Sequence, residues 1–147
     1  MSVQIKHPLV TAFCAAAMLL GANAALSHET GERVTLNFEQ AIPNIPGKSL
    51  IAVEVEYAPG TASVPHVHAN SAFIYAYVVS GAIESKVNDE ETRVYREGES
   101  WSEPPGANHP ISRNASKTEP AKLLAVFVVD SDDKALTTPS ERNNIER

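Results

Sequence analysis

The chain has 147 residues, enough for one domain with a buried core and too few for two of ordinary size. Its 43% hydrophobic and 20% charged residues exclude disordered and collagen-like classes. A net charge of -6, with no cluster of Lys and Arg, excludes a nucleic-acid or anionic-membrane surface, because either needs grouped cations to displace counterions from phosphate.

Residues 1–24 read as a cleavable secretory leader. Lys6 and His7 precede the apolar run from Pro8 to Leu20, and Ala22-Asn23-Ala24 offers small residues in the arrangement that a signal peptidase accepts. The run is Ala-rich and falls short of the ~20 strongly apolar residues that cross a bilayer, so a periplasmic or secreted protein free of the membrane is expected. The single cysteine, Cys14, leaves with the leader, and thiol chemistry, Cys-ligated zinc and disulfides leave with it. Residues 25–130 are the expected β domain. Residues 131–147 form a polar tail expected to fray.

From Val34 onward no segment carries a sustained helical period, and short β-runs alternate with turn residues, so the fold class is all-β. Leu50 to Tyr57 alternates, with Ile51, Val53, Val55 and Tyr57 on one face and Ala52, Glu54 and Glu56 on the other. Pro59-Gly60 ends it. Phe73 to Val79 is apolar at both parities, the pattern of a strand covered on two sides, and Ser80-Gly81 turns it into a partner strand, Ile83 to Val87. Asn88 to Glu91 is a polar turn before Thr92 to Arg96, and Gly98 opens a segment through Trp101 to Pro104-Pro105-Gly106. His109 to Asn114 follows, and Lys122 to Val129 is the last strong strand, again apolar at both parities. About eight short strands at this spacing suggest a sandwich, jelly roll or small barrel.

Four histidines survive loss of the leader, and three of them, His66, His68 and His109, sit in two turn-bounded β segments. Residues i and i+2 of a strand share a face, so His66 and His68 offer two imidazoles to one point while Val67 faces away. A third imidazole from a neighbouring strand completes a three-nitrogen site that leaves positions open on a divalent metal, and His109 is the candidate. Taken alone, the His-x-His pair fits two solvated imidazoles as well as two ligands. His28 reads as solvated. Tyr75, Tyr77 and Trp101 are either pocket walls or core, whereas Phe73, Ile74 and Phe127 are assigned to packing. Asn114-Ala-Ser116 fits a glycosylation acceptor, a tripeptide common by chance.

The glycine and proline spacing around these histidines resembles that of the cupins. Gly60, five residues, His66-Val67-His68 and then Gly81 are similar to the family's first motif. Gly98, five residues, Pro104-Pro105-Gly106, two residues, His109 and then Asn114 are similar to the second, and sixteen residues separate the motifs. The resemblance implies a double-stranded β-helix, or jelly-roll, barrel holding a metal through His66, His68 and His109. It also implies a homodimer and a small-molecule substrate or ligand, with an oxygenase, isomerase, lyase or hydrolase reaction. The family's first-motif glutamate is missing: Ile74, or Ala72 or Phe73 counted from the other end, stands in its place. Asn114 comes one residue late, with Arg113 at the family's position. An all-imidazole site favours Zn, Fe, Ni or Cu over Mn or Mg. Glu103, just before Pro104, is the candidate catalytic residue, a general base on bound water or a group reaching the metal; its alternative is a solvated strand-end carboxylate. The alternative for the whole protein is a metal-free cupin that captures a small ligand without catalysis.

Overall fold

The computed structural model describes residues 31–140; the leader reading, Cys14, His28 and residues 141–147 lie outside them. Among the described residues there are eleven strands and no helix: β1 (Glu32–Ala41), β2 (Lys48–Tyr57), β3 (His66–His68), β4 (Phe73–Ser80), β5 (Ala82–Lys86), β6 (Arg93–Arg96), β7 (Ser100–Glu103), β8 (Asn108–His109), β9 (Ile111–Asn114), β10 (Ala121–Asp130) and β11 (Thr137–Pro139). All pairings are antiparallel. They form a five-stranded sheet in the order β1-β2-β10-β4-β7 and two three-stranded sheets, β11-β3-β8 and β6-β5-β9. This is the all-β double-stranded β-helix expected from the sequence.

The alternation in β2 does what its pattern requires: Ile51, Val55 and Tyr57 are buried, and Glu54 and Glu56 stand on the opposite side. Ile74, Ala76 and Val78 of β4 and Leu123, Ala125, Phe127 and Val129 of β10 complete the inner face of the large sheet. Its core forms two packed groups, one around Trp101 and Ile83 and the other around Ile74 and Phe127, with Val53 touching both. Complete burial of Ile74, Val78, Ile83 and Val129 contributes about 1.5–3 kcal/mol per side chain.

The outer face differs from expectation. Phe73, Tyr75 and Val79 are exposed, so β4 is covered on one side only, and alternate residues of β10 are half-buried. The register aligns Phe38, Ala52, Val126 and Tyr75 across four strands, with Leu50, Val128 and Phe73 in the adjacent row. Apolar residues at both parities therefore record an apolar outer surface and not a second covering layer. Phe73, assigned to packing, belongs to this surface.

Three local features set the strands apart from those expected. Pro110 has no N–H to donate, and it splits the expected segment from His109 to Asn114 into β8, which pairs with β3, and β9, which pairs with β5. Ser80-Gly81 is not a hairpin, because β4 pairs with β10 and β7 while β5 pairs with β6 and β9. Gly81 instead carries the chain from one sheet to the next at φ +73°, where an added Cβ would lie 2.6 Å from the Pro120 carbonyl. Finally, part of the expected tail folds back as β11 and pairs with β3, Thr137 opposite His68 and Pro139 opposite His66.

Candidate metal centre

The two outer strands of the small β11-β3-β8 sheet hold the histidine strand between them. His66 lies directly opposite His109 in the β3–β8 ladder, and the period of two puts His68 on the same side as His66. The Asn88 turn after β5 fixes β8: the Asn88 N–H donates to the Asn108 carbonyl at 2.7 Å, and Asn88 Oδ1 accepts from the Asn108 N–H at 2.9 Å. On the other edge the Ala69 N–H donates to the Leu136 carbonyl, and the Ser140 N–H to the Pro65 carbonyl. The structure brings all three predicted histidines together. One ring nitrogen from each of His66, His68 and His109 falls within 4.8 Å of the others, with His68 and His109 buried and His66 half-buried.

Hydrogen bonds set the orientation of two of the rings. His66 Nδ1–H donates to the Val64 carbonyl at 2.7 Å, which leaves the Nε2 lone pair for the centre. His109 Nε2 lies 2.9 Å from Ser85 Oγ, leaving Nδ1 to face the centre. Burial pulls the pKa of His66 down and that of His109 down to about 4, so both imidazoles are neutral at pH 7 and their lone pairs stay available.

Glu103 is not the solvated carboxylate of a strand end. It is 2% exposed, on the same inward face of β7 as Trp101, whose Nε1–H donates to Glu103 Oε1 at 3.0 Å. Its other oxygen, Oε2, lies 2.8 Å from His68 Nε2 and 3.4 Å from His109 Nδ1, yet no hydrogen bond of acceptable direction reaches it. Burial pushes the Glu103 pKa up, but the His68 and His109 contacts and the Trp101 N–H together outweigh it and hold the carboxyl below its ordinary value. The three imidazoles suit a divalent cation, and a buried carboxylate oxygen without a hydrogen bond lies beside two of them.

The centre opens into a cavity of about 370 Å³. Its walls are mostly apolar, including Val53, Ile74, Ala125 and Phe127, so Ile74 and Phe127 serve both packing and the pocket. Tyr75, Tyr77 and Trp101 do not line it: Tyr75 faces outward, and Trp101 stacks on Tyr95 with ring centroids 4.4 Å apart. A second polar group stands in the same wall. Tyr57 Oη bonds Ser63 Oγ at 2.6 Å and Ser112 Oγ at 2.8 Å, and Ser63 Oγ–H donates to Glu32 Oε1 at 2.5 Å. Burial raises the Tyr57 pKa to about 12, which keeps its hydroxyl protonated.

Sequence reasoning missed Ser85 and the wall made by Leu136 with Thr137 and Pro139 of β11. Ser85 had a signal: it sits between Ile83 and Val87 on the inward face of β5, where a polar side chain needs a buried partner. Asn114, whose tripeptide matches a glycosylation acceptor only as chance commonly allows, is 5% exposed and donates its amide to the carbonyls of Glu119 and Ala58 at 2.7 and 3.2 Å. Arg113, at the family's asparagine position, points to solvent and pairs with Glu84 at 2.6 Å.

Fold and site together define a small jelly-roll barrel carrying three convergent imidazoles. The family profile described as Cupin domain matches residues 53–127, and the chain belongs to the cupin family. No curated protein sequence matches it significantly. The fold is similar to that of KdgF from a Halomonas species, at 22% identity and TM-score 0.57 over 74% of this chain and 88% of that one. It is also similar to an uncharacterised conserved protein with a double-stranded β-helix domain from Klebsiella pneumoniae, at 18% identity and TM-score 0.60 over 80% and 91% of the two chains. An oxalate oxidase in complex with the substrate analogue glycolate matches at 27% identity and TM-score 0.55, over 70% of this chain and 53% of that one.

Proposed function

We propose that this cupin is an exported protein that binds one divalent transition metal, Zn, Fe, Ni or Cu, through His66, His68 and His109 and acts on a small oxygen-bearing molecule in the adjoining cavity. The convergence of three imidazole nitrogens within 4.8 Å, from strands 41 residues apart in the chain, carries this reading. A metal held by His66, His68 and His109 would supply Lewis-acid chemistry, polarising a substrate oxygen or lowering the pKa of a bound water. The chain supplies the rest. The Val64 carbonyl and Ser85 Oγ orient two of the ligands, and the Glu103 carboxylate lies beside His68 and His109. The apolar walls exclude water, and the linked Tyr57, Ser63 and Ser112 hydroxyls give one wall a polar edge. The 27% identity to an oxalate oxidase that holds glycolate supports a small carboxylate or hydroxy acid as the substrate class.

Export is supported by the leader pattern of residues 1–24. A homodimer is supported by the apolar outer face of the large sheet. Elemental analysis tests the central claim: the purified protein is expected to carry about one transition metal per chain, and a His66→Ala/His68→Ala variant none. Protein that stays metal-free after incubation with each of these ions contradicts it.

A further inference from the structure

Ile74, where counting back from Gly81 places the family's first-motif glutamate, is paired with Glu103 across the β4–β7 ladder. Residues directly opposite in an antiparallel pair point to the same face with their Cβ atoms about 4.5–5.5 Å apart, so either one can send a carboxylate into the same region of the barrel. Ile74 is 1% exposed, Glu103 is 2% exposed, and both line the cavity that contains the histidines. The glutamate is therefore absent from β4 but not from the site.

We propose that Glu103 is a direct metal ligand, the missing carboxylate carried by the neighbouring strand. Three of its features point this way. Its Oε2, His68 Nε2 and His109 Nδ1 form a triangle with sides of 2.8, 3.4 and 3.4 Å. Donors held about 2.0–2.2 Å from one ion stand at roughly these mutual distances. The oxygen is buried without a hydrogen bond, while Oε1 is held by the Trp101 indole. Trp101 thus presents one oxygen of the carboxylate to the centre, as the partners of a ligating group do. With Glu103 included, the ligand set is three imidazoles and one carboxylate oxygen. That set extends the metals the site accepts toward Mn, beyond the Zn, Fe, Ni and Cu that an all-imidazole site favours.

The assignment rests on the three-histidine centre, and the test separates the two. Metal-stripped protein is titrated with Co2+, following the visible absorption bands and the heat of binding. Glu103→Gln keeps the shape of the side chain and an acceptor for Trp101. It is expected to change the Co2+ bands and to weaken affinity more than about 100-fold, beyond the 10–100-fold cost of losing an outer-shell partner. Ile74→Glu/Glu103→Gln, which moves the carboxylate back to β4, is expected to recover affinity to within about tenfold of wild type. A folded Glu103→Gln protein with wild-type bands and near-wild-type affinity overturns the ligand role of Glu103 alone, provided His68→Ala abolishes binding. A folded exchange variant that does not recover binding also overturns it. If the wild-type protein itself takes up no Co2+, the histidine centre falls and this assignment falls with it.

Discussion

His109 concentrates the residue-scale argument, because its ring is held on one side by Ser85 and faces His68 and Glu103 on the other. Removing the Ser85 hydroxyl frees the ring to rotate and change tautomer, so Ser85→Ala is expected to lower Co2+ or Zn2+ affinity about 10–100-fold with the fold intact. Competition against a chromophoric chelator measures it, and unchanged affinity would remove Ser85 from the site. Burial also makes the metal-free protein sensitive to acid. The His109 pKa is about 4 in the folded protein and near 6.5 in an unfolded chain, so between those values the unfolded state binds the extra proton. Stability is then complete above about pH 6.5 and declines toward pH 4. The depressed pKa of Glu103 works in the same direction, its contribution being lost only below the ordinary carboxylate range. The melting temperature of the EDTA-treated protein should therefore be lower at pH 5 than at pH 7; the opposite order contradicts this account. The histidines were legible as residues, since an i, i+2 pair on a strand must share a face. Glu103 was legible as a candidate but its burial was not, although the same parity that places Trp101 inward places Glu103 with it.

Elements were read well where one face decides and poorly where a single residue redirects the chain. The alternation of β2 gave its inward set correctly, because burying the other parity would put Glu54 and Glu56 in the core. The sheet change at Gly81 left no trace in hydrophobic pattern; it depends on φ +73° and on the approach of the Pro120 carbonyl. Gly81→Ala is expected to cost at least about 2 kcal/mol, combining left-handed strain with the 2.6 Å contact, and urea denaturation measures it. A loss within about 0.5 kcal/mol, the range of an ordinary surface change, would show that the turn relaxes freely. The strand β11 was invisible for a different reason. Three residues, Thr137 to Pro139, are too short for periodicity to register, and their partner β3 lies about 70 residues earlier in the chain.

At the scale of the whole molecule, the barrel was legible in the combined glycine, proline and histidine spacing, while the state of its outer face was not, since apolar composition does not say what covers a strand. The rows through Phe38, Ala52, Val126 and Tyr75 and through Leu50, Val128 and Phe73 join into one apolar patch on the large sheet. Light scattering at micromolar concentration is expected to give twice the chain mass for the wild type and the single chain mass for a Phe38→Glu/Tyr75→Glu variant. Wild type at the single mass removes the dimer. The pairing of β11 with β3 bears on how the protein is made. The histidine strand β3 is made about 70 residues before the segment that clasps its far edge, so the pocket wall closes only after β11 has emerged. A shortened product ending near Asp130, which lacks that clasp, should hold a cation less tightly than the protein that includes β11.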